Sequence, residues 1–503
     1  MVTGALIMII EILGAKMLSP YLGTSHFVWT AQIAVTLVAL ACGYYLGGRM
    51  VDRSMNLGRL YAAILAAGIY LVLTVMAREP VAYWCLKFDL AVGSLLASAF
   101  LFFVPLCLLA MVGPFVIRVI TLSVNNVGGN VGRLTALSTL GSFAGTVLIG
   151  YVLIPLLPNS ITMYATAVVL MLLAAAYFFA VRASGGKRAV VTALILLSCG
   201  VGWRSAADER WHGQNVTELF RGNSDFGLLQ VLRVGDGPRR YYMNDYLMQN
   251  GYDTEQRKSL HLFTYMLHGL ARVYAPRTED ILCIGMGIGI VPMQFAREGA
   301  RVDVVEINPD IVPVAVKYFD LQPDRFRLYL TDGRYFLNQS TNRYDAVLLD
   351  AFLGDSSPSH LMTREAFASV RRLLRPDGVL VINTFAELDE PRDFFGASLY
   401  KTLTNVFTSV RIHSAGAGGN TLFVASPRAG LAPLREPDLD DVHPGMPELR
   451  SRVSATYNNL REPNPDHGIV LTDDYNPVEF HDAANREAMR KNLVDQVREW
   501  QKR

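Results

Sequence analysis

Hydrophobic and polar positions divide the chain into two halves with different patterns. Up to about Trp203 the chain is a series of apolar segments, and its charged residues fall mostly between those segments. From Arg204 onward, acidic and basic residues occur at the density of a soluble protein. The pattern predicts a multi-span membrane domain at 1–203, followed by a soluble region long enough to bury a full α/β core.

Seven apolar segments of the first half are candidates for membrane crossing. Most are near the roughly 20 residues that a helix needs to span a bilayer, and the fourth is interrupted by proline and glycine. The first begins at Met1 without a basic leader, so we expect no cleaved signal peptide. The segments are 2–18, 27–48, 58–77, 91–122, 133–155, 160–181 and 188–203. A polytopic α-helical membrane domain in the cell membrane is therefore predicted.

The basic residues of the loops predict the orientation of this domain. Lys and Arg follow the second, fourth and sixth segments, and basic loops stay on the cytoplasmic side, which also puts the N-terminus inside. A full crossing at 188–203 would place the soluble half outside, where adenosine cofactors are not normally supplied. An interfacial or re-entrant position of this short segment resolves the conflict, and we favour a cytoplasmic soluble domain.

Two charged residues, Glu11 and Lys16, lie in the first segment, where charge is costly. One interpretation is a role in binding or transport. The other is structural, with Lys16 reaching the interface and Glu11 making a hydrogen bond inside the bundle. Gly141 and Gly145 lie at helical spacing and predict a face where two helices pack closely.

The second half begins with a pattern typical of antiparallel strands. Between Phe226 and Asp253 apolar and polar residues alternate around turn signals at 235–237 and 244–245. We therefore predict a small β-rich subdomain at 204–255.

Strand and helix patterns alternate after this subdomain. A buried strand is predicted at 281–284, and further strands are predicted at 302–306, 327–330, 346–349, 379–383 and 422–425. The alternation predicts a Rossmann-like α/β domain with a largely parallel, doubly wound sheet at 256–430. The remaining residues, 431–503, are expected to form a C-terminal extension with a late loop and an amphipathic surface helix from Asp482 to Arg503.

Composition and charge narrow the possible partners. The 503 residues are 51% hydrophobic and 18% charged, with a formal net charge of +2. No basic run with interleaved aromatic residues suggests a nucleic-acid groove, so nucleic acid is not an expected partner. The five cysteines form neither a disulfide framework nor a metal-ligand spacing, and we expect buried, inert thiols and no metal site.

Three glycines at alternate positions, Gly285, Gly287 and Gly289, end the first strand of the α/β domain and open a helix. Glycine lets the backbone approach a ligand next to the positive end of the helix. Glu306 ends the next strand, where a carboxylate can accept both ribose hydroxyls, and Asp332 follows the third, where it can accept from an adenine amino group. The pattern predicts an adenosine site. The alternative is that the glycines only allow tight turns and that the acids are solvated loop ends.

An ordered set of motifs resembles the spermidine synthase (polyamine aminopropyltransferase) family, which shares the fold of the class I methyltransferases. The motifs are "ILCIGMGIGIVPMQF", "VEINPDIVPVAVKYF", "LTDGRYFL", "YDAVLLDAFLGDSSPSHLMTREAF", "LRPDGVLVIN" and "LTDDYNPVEF". The first half, with "GRLTALSTLGSFAGTVLIGYVLIPLLP", resembles the bacterial multi-span domain that is fused to such synthases.

The resemblance implies transfer of an aminopropyl group from decarboxylated S-adenosylmethionine to an amine such as putrescine, with release of methylthioadenosine. Asp350 would be the catalytic proton acceptor, Glu306 would hold the ribose, and Asp332 with Gly333 would hold the adenine. Geometry alone leaves a second interpretation of Asp350, as an acid that caps the following segment. Decarboxylated S-adenosylmethionine, or S-adenosylmethionine, would be a co-substrate rather than a tightly bound cofactor. The expected partners are a small-molecule amine, the lipid bilayer and a second copy of the chain in a homodimer.

The sequence also departs from the family pattern. Ile288 stands where the family has an aspartate in the glycine loop, and Leu353 stands where it has a second acid, with Asp355 nearby as a substitute. Leu260, His261 and Leu262 stand where the family has a tyrosine, a His or Gln, and a glutamate, so the two leucines are further departures. These departures weaken the case for a doubly charged diamine, and they favour a diverged aminopropyltransferase or an S-adenosylmethionine-dependent methyltransferase.

The remaining candidates lie in a helix and a late loop. His261 is a candidate for contact with substrate, whereas a core or surface position is expected for His268. Asp474 and Tyr475, next to Asp473, either reach over the crevice as substrate contacts or form a structural turn before Pro477. A third function class, a transporter or sensor that binds nucleoside or polyamine without turnover, also stays open.

Overall fold

The computed structural model describes residues 1–23, 25–121, 127–180, 185–207, 215–352, 357–483 and 485–488. Its internal contacts divide the chain into two compact units, Met1–Arg210 and Trp211–Arg503. The domain boundary predicted at 203 falls inside the helix Gly185–Ala207.

The described residues of the first unit form helices joined by short connections. Six of its helices are long and apolar enough to cross a membrane. They are α1 (Val2–Leu22), α2 (His26–Arg53), α3 (Leu57–Cys85), α4 (Leu90–Ile120), α5 (Val127–Leu156) and α6 (Asn159–Ala180). The seventh candidate segment lies in helix α7 (Gly185–Ala207), which is not one of these six.

Two small residues of α5 allow it to pack directly on the backbone of α1. A Cβ atom on Gly141 would lie 2.1 Å from the carbonyl oxygen of Met1, and one on Gly145 would lie 2.4 Å from the carbonyl oxygen of Ala5. No side chain fits at these distances. The close helix-packing face that the sequence predicts at these glycines is confirmed.

The second unit begins with a five-stranded antiparallel sheet in the order β1-β2-β3-β4-β5. The turns between β2 and β3 and between β3 and β4 contain the turn signals seen in the sequence. The strands are β1 (Val216–Ser224), β2 (Gly227–Val234), β3 (Arg239–Asn244), β4 (Leu247–Asp253) and β5 (Lys258–Ser259).

An eight-stranded sheet follows, in the order β13-β11-β12-β10-β9-β6-β7-β8. Strands β10, β9, β6, β7 and β8 are parallel, and β11 to β13 pair antiparallel at one edge. The strands are β6 (Asp280–Ile284), β7 (Arg301–Glu306), β8 (Arg327–Leu330), β9 (Tyr344–Leu349), β10 (Leu374–Thr384), β11 (Ser409–Ser414), β12 (Thr421–Ser426) and β13 (Leu460–Arg461). All six predicted strands are present, whereas β11 and β13 were not predicted.

Helices cover both faces of this sheet, because side chains of a buried strand point alternately to either face. Ile281 and Cys283 pack with α8, α9, α10 and α14, whereas Leu282 and Ile284 pack with α11, α12 and α13. The helices are α8 (Leu262–Tyr274), α9 (Ile290–Arg297), α10 (Ile311–Tyr318), α11 (Gly333–Gln339), α12 (Arg364–Leu373), α13 (Phe394–Val406), α14 (Pro447–Asn458) and α15 (Val478–His481). The predicted Rossmann-like, doubly wound domain is confirmed.

The strand order reverses between β6 and β9. From β6 the chain proceeds outward through β7 to β8, and it then returns to β9 on the other side of β6. Ligands of open α/β sheets bind at such a switch point, outside the carboxyl ends of the strands. The residues that directly follow β6 and β9 are Gly285 and Asp350, so the fold brings two of the predicted site residues together.

The C-terminal extension contains α14, a loop at 471–476 and the short helix α15. Most of the predicted tail helix, from residue 489 onward, lies outside the described residues. Of the five cysteines, Cys85, Cys107 and Cys283 are buried, whereas Cys42 and Cys199 are partly exposed, and all five are free thiols. Burial was therefore predicted correctly for three of them.

Candidate active site

A cavity lies at the carboxyl ends of β6, β7, β9 and β10. Residues that follow these strands form its floor, and residues of the antiparallel sheet and the start of α8 line it as well. Of the predicted site residues, Gly285, Gly287, Glu306, Asp332, Gly333 and Asp350 line this cavity.

The glycine turn after β6 needs glycine for two separate reasons. Gly285 has a φ of 92°, and a Cβ atom there would lie 2.2 Å from the carbonyl oxygen of Asp350. Gly287 has a φ of 53°, and its Cβ atom would lie 2.7 Å from Oδ1 of Asn250. L-residues rarely adopt such positive φ angles. The turn therefore lies closely against both Asp350 and β4, with its backbone open to the cavity.

Gly289, the third glycine, has a different position. It precedes α9 with a φ of 84°, and a Cβ atom there would lie 2.2 Å from Cδ1 of Leu321. Gly289 is not one of the residues that line the cavity, among those described. Its visible role is to let the chain turn into α9 against Leu321.

Glu306 ends β7 with its carboxylate held by backbone amides. Oε2 accepts a hydrogen bond from the N–H of Met286 at 2.9 Å, and Oε1 accepts one from the N–H of Asn308 at 2.8 Å. Burial raises the pKa of this carboxyl, and the backbone hydrogen bonds oppose the rise because they stabilise the charged form. Since each oxygen has a second lone pair, both can also accept from ligand hydroxyls.

Asp332 caps the N-terminus of α11 at the edge of the same cavity. Its Oδ1 accepts from the N–H of Tyr335 at 2.9 Å, and Oδ2 lies 3.1 Å from Nε2 of His360. A Cβ atom on the adjacent Gly333 would lie 2.7 Å from Cγ2 of Ile284, so glycine lets α11 begin directly beside β6. His360 also lines the cavity.

Asp350 follows β9 and is held by an amide from the neighbouring strand. Nδ2 of Asn383 donates to Oδ1 of Asp350 at 2.9 Å, and Oδ1 of Asn383 accepts from Nδ2 of Asn420 at 3.0 Å. The second bond fixes which end of the buried Asn383 amide faces Asp350. Burial raises the pKa of Asp350 to about 6, and the bond from Asn383 opposes the rise. An ionised carboxylate with this pKa can accept a proton at neutral pH.

Comparison with known proteins identifies the central part of this unit. The family described as the Spermine/spermidine synthase domain matches residues 260–408. These residues are called the synthase domain below, after the family that they match. The match contains the strand ends of β6 to β10 and all six predicted residues that line the cavity.

Three curated relatives align with parts of the chain. The chain is 39% identical over 142 residues to the polyamine aminopropyltransferase of Vibrio vulnificus (strain CMCP6), covering 27% of this chain and 47% of the relative. It is 27% identical over 279 residues to a probable polyamine aminopropyl transferase of Bifidobacterium longum (strain NCC 2705), covering 52% and 61%. The N-terminal histidine N-methyltransferase of Emericella nidulans is 28% identical over 203 residues, covering 38% and 34%. The chain therefore spans less than two thirds of each relative.

Solved structures also align with the chain. The spermidine synthase of Thermotoga maritima aligns with a TM-score of 0.36 and 18% identity, covering 46% of this chain and 77% of that structure.

His261, a predicted substrate contact, lies elsewhere in the synthase domain. His261 is not one of the described cavity residues; its Nε2 is buried against Gly251 without a hydrogen-bond partner among the described residues. Burial, and then the nearby Arg452, lowers the pKa of His261 to about 4, so the ring is neutral at neutral pH. Asp355 lies outside the described residues.

The late loop forms a turn against the synthase domain. The N–H of Thr472 donates to the carbonyl of Tyr475 at 3.1 Å, and the Tyr475 side chain is 61% exposed. Neither Asp474 nor Tyr475 lines the described cavity. Their neighbour Asp473 accepts instead from Arg334 at 2.7 Å and from Thr363 at 2.6 Å, which fixes the loop to α11 and to the start of α12.

Several residues of the cavity were not predicted from the sequence. Asn383 and His360 belong to the synthase domain, and Asn383 lies at the end of a predicted strand, which could have identified it. The other such residues include Phe226, Tyr242, Asn250, Phe263, Phe352 and Phe385. The cavity residues of the antiparallel sheet lie in no sequence motif that indicates a binding site.

The position of Glu306 predicts that its substitution weakens nucleoside binding. In Glu306→Gln, an amide NH₂ group replaces an acceptor next to the N–H of Met286 or Asn308, and the charge that strengthens the hydrogen bonds to ribose is lost. We expect methylthioadenosine to bind about ten- to a hundredfold more weakly. Isothermal titration of the detergent-solubilised protein measures this directly. Glu298→Gln, at the C-terminal end of α9 and not among the described cavity residues, is the control, and equal affinity of both variants would contradict the assignment.

Proposed function

We propose that this chain is a membrane-bound aminopropyltransferase that uses decarboxylated S-adenosylmethionine as its donor and an amine as its acceptor. The observation that carries the proposal is the position of Asp350. Its raised-pKa carboxylate shares one cavity with the glycine turn and with Glu306, within the spermine/spermidine synthase domain.

The reaction requires an uncharged amine. A primary ammonium has a pKa near 10.4, so it carries a proton at neutral pH and has no lone pair for attack. Asp350 accepts that proton. The nitrogen lone pair then forms a bond to the propyl methylene next to the sulfonium, the carbon–sulfur bond breaks, and its electron pair stays on sulfur. The products are an extended amine and methylthioadenosine, and the sulfonium needs no acid to leave.

The other residues of the cavity orient the donor for this step. Glu306 would accept the ribose hydroxyls, and Asp332 with Gly333 would hold the adenine at the start of α11. The open backbone of Gly285 and Gly287 leaves room for the nucleoside beside Asp350. Holding amine and methylene in line supplies much of the rate enhancement of a two-substrate displacement.

The hydrogen bond from Asn383 to Asp350 predicts how the reaction rate depends on pH. The rate at saturating substrates should rise with pH through about 6, because Asp350 accepts a proton only when it is ionised. In Asn383→Leu the hydrogen bond to the charged form is lost, so the pKa of Asp350 rises further. We expect the ascending limb to move about one to two pH units higher.

The control for this shift is Asn420→Ala, which removes the partner of Asn383 but leaves the donor to Asp350 in place. Its limb should move less than that of Asn383→Leu. If the rate rose over the same pH range in the parent, in Asn383→Leu and in Asn420→Ala, proton transfer to Asp350 would be contradicted.

Product analysis tests the reaction itself. The full-length protein in detergent is incubated with decarboxylated S-adenosylmethionine or with S-adenosylmethionine and a panel of amines, and the products are identified by mass spectrometry. Methylthioadenosine together with an aminopropylated amine is the expected result. Turnover of neither donor would contradict an enzymatic function.

Methyl transfer is the second candidate function. The relative from Emericella nidulans carries the name of a methyltransferase, and a buried isoleucine, Ile288, stands in the glycine turn where the resemblance implies an acid for the aminopropyl amine. In this reaction a nucleophile takes the methyl group and the sulfonium becomes adenosylhomocysteine. Detection of adenosylhomocysteine in the same assay would favour this function.

We also propose that helices α1 to α6 anchor the enzyme in the cell membrane with its synthase domain in the cytoplasm. Their length and apolar composition support the anchoring, and the basic residues between them support the orientation. The homodimer stays a prediction.

The exposed Asp466 allows a test of this orientation. In Asp466→Cys, an impermeant maleimide should not label the new thiol in intact cells but should label it after permeabilisation. The parent protein, with its five native cysteines, gives the background. Labelling of the variant above this background in intact cells would place the domain outside.

A further inference from the structure

The order of the strands places the sulfonium of the donor over the end of β6. Strand β6 lies between β7, which ends at Glu306, and β9, which is followed by Asp350. The ribose is assigned to Glu306, and the methylene that reacts has to meet the amine at Asp350. The sulfonium and its propyl arm therefore lie over the glycine turn at Gly285 and Gly287. The arm ends in a primary ammonium, which has three N–H groups to donate.

Asn250 of β4 lies against this turn. Among the described residues, the three atoms nearest to a Cβ atom placed on Gly287 all belong to Asn250, with Oδ1 at 2.7 Å, Cγ at 3.6 Å and Nδ2 at 3.8 Å. Asn250 lines the candidate active-site cavity, and together with Gly285 and Asp350 it also lines a smaller cavity that shares these three residues. The amide oxygen of Asn250 is therefore positioned at the glycine turn and close to Asp350.

The side chain of Asn250 is buried and has hydrogen-bonding capacity left for a ligand. Asn250 is 7% exposed, and its amide makes no side-chain hydrogen bond to another described residue. A buried carbonyl oxygen without a partner costs free energy, so a ligand that donates to this oxygen gains affinity. A terminal ammonium is such a donor, and hydrogen bonds from charged groups are stronger than those between neutral groups.

Two other side-chain amides of the antiparallel sheet, those of Asn244 and Gln249, also line the cavity. Nδ2 of Asn244 donates to the carbonyl of Phe226 at 3.4 Å, and its Oδ1 would lie 2.6 Å from a Cβ atom on Gly227, so this amide faces the start of β2. Gln249 is already engaged in an interaction within the protein. The amide that lies against the glycine turn is that of Asn250.

We propose that the amide oxygen of Asn250 accepts a hydrogen bond from the terminal ammonium of the donor's propyl arm, which makes Asn250 a determinant of donor specificity. The proposal rests on the proposed aminopropyl transfer and assigns one contact within it. A neutral amide has no charge with which to reject the carboxylate that S-adenosylmethionine carries on the same arm. An aspartate at this position would attract the ammonium and repel that carboxylate. The residue at 250 therefore sets how strictly the site selects the decarboxylated donor.

Binding of ligands with and without the propyl arm tests this contact. The full-length protein in detergent is titrated with decarboxylated S-adenosylmethionine and with methylthioadenosine, in the absence of an amine, so that no transfer takes place. Asn250→Leu introduces a side chain of similar size without an acceptor. We expect decarboxylated S-adenosylmethionine to bind this variant about ten- to a hundredfold more weakly, and methylthioadenosine to bind it as it binds the parent.

An added charge tests the same contact in the opposite direction. Asn250→Asp should raise the preference for decarboxylated S-adenosylmethionine over S-adenosylmethionine by about tenfold or more. Binding is measured rather than turnover, because a second carboxylate near Asp350 also raises the pKa of Asp350. Asn244→Leu is the matched control from the same sheet, and its ratio of the two affinities, with and without the arm, should equal that of the parent.

The possible outcomes separate this inference from the reaction on which it rests. Unchanged binding of decarboxylated S-adenosylmethionine to Asn250→Leu would overturn the contact, and an equal loss for methylthioadenosine would show a structural role instead. A loss specific to the arm in Gln249→Leu or Asn244→Leu, but not in Asn250→Leu, would assign the ammonium to another amide. Aminopropyl transfer is measured separately, as release of methylthioadenosine by the parent with an amine, and it stands or falls whatever the binding shows.

Discussion

Replacing Asp350 with asparagine should lower the rate of methylthioadenosine release by about a thousandfold and leave nucleoside binding unchanged. Asparagine can still accept the hydrogen bond from Asn383, so the geometry at the end of β9 is retained. It cannot accept the proton of the ammonium, and a positioned general base contributes about 10² to 10⁴ in rate. Single-turnover product analysis measures the rate, and titration with methylthioadenosine measures the binding.

The same substitution should stabilise the protein at neutral pH. Burial raises the folded-state pKa of Asp350 from 3.8 to about 6, so the folded state binds more protons than the unfolded state between those values. Stability contributed by this group is therefore present at low pH and is lost as pH rises through about 6. The shift corresponds to at most about 3 kcal/mol at pH 7.

Asparagine stays neutral at every pH, so it removes this cost. Thermal unfolding of Asp350→Asn should occur at a higher temperature than that of the parent at pH 7, and the difference should shrink towards pH 4. An inactive variant that is less stable than the parent at pH 7 would indicate a structural role, with Asp350 required to cap the segment that follows it.

The second large effect is expected at Gly285. In Gly285→Ala the Cβ atom would lie 2.2 Å from the carbonyl oxygen of Asp350, and alanine would have to adopt a φ of 92°. A left-handed backbone costs an L-residue roughly 1–2 kcal/mol, and forcing an extra methyl group into a packed site costs about 1–3 kcal/mol. We expect a loss of about 3 kcal/mol in the free energy of unfolding.

Because the clash is with the backbone of Asp350, the variant should also lose activity even where it remains folded. Gly299→Ala is the matched control: Gly299 has a φ of 90°, but a Cβ atom there would have no neighbour within 4 Å. Its loss of stability therefore measures the backbone conformation alone. Equal stability and equal activity of Gly285→Ala and Gly299→Ala would show that the close approach of Gly285 to Asp350 is not needed for folding or for activity.

Local patterns in the sequence were sufficient to predict the floor of the site. The strands β6 and β9 show apolar runs, β7 shows one interrupted by Asp303, and the residue that ends a parallel strand must lie at one edge of the sheet. Gly285, Glu306 and Asp350 follow from this rule. By contrast, β11 alternates apolar residues with Arg411 and His413, and β13 has two residues, so neither carries a buried-run pattern.

Contacts between distant segments could not be predicted in this way. Phe226 and Tyr242 enter the cavity from a separate sheet, and no periodicity within that sheet specifies what it covers. His261 shows the same dependence on distant segments: the resemblance suggests a contact with substrate, whereas the fold packs its ring against Gly251. Asp473, rather than Asp474 or Tyr475, holds the late loop, a choice that depends on where Arg334 lies.

The reversal of strand order between β6 and β9 has a consequence for evolution and for protein engineering. The nucleoside is assigned to the ends of β6, β7 and β8, whereas Phe352 and Phe385 line the cavity just beyond β9 and β10. Substitutions at 352 and 385 should therefore change the surroundings of Asp350 while the donor half of the cavity remains as it is. A library randomised at these two positions and selected on different amines would explore new alkylation products from one unchanged donor.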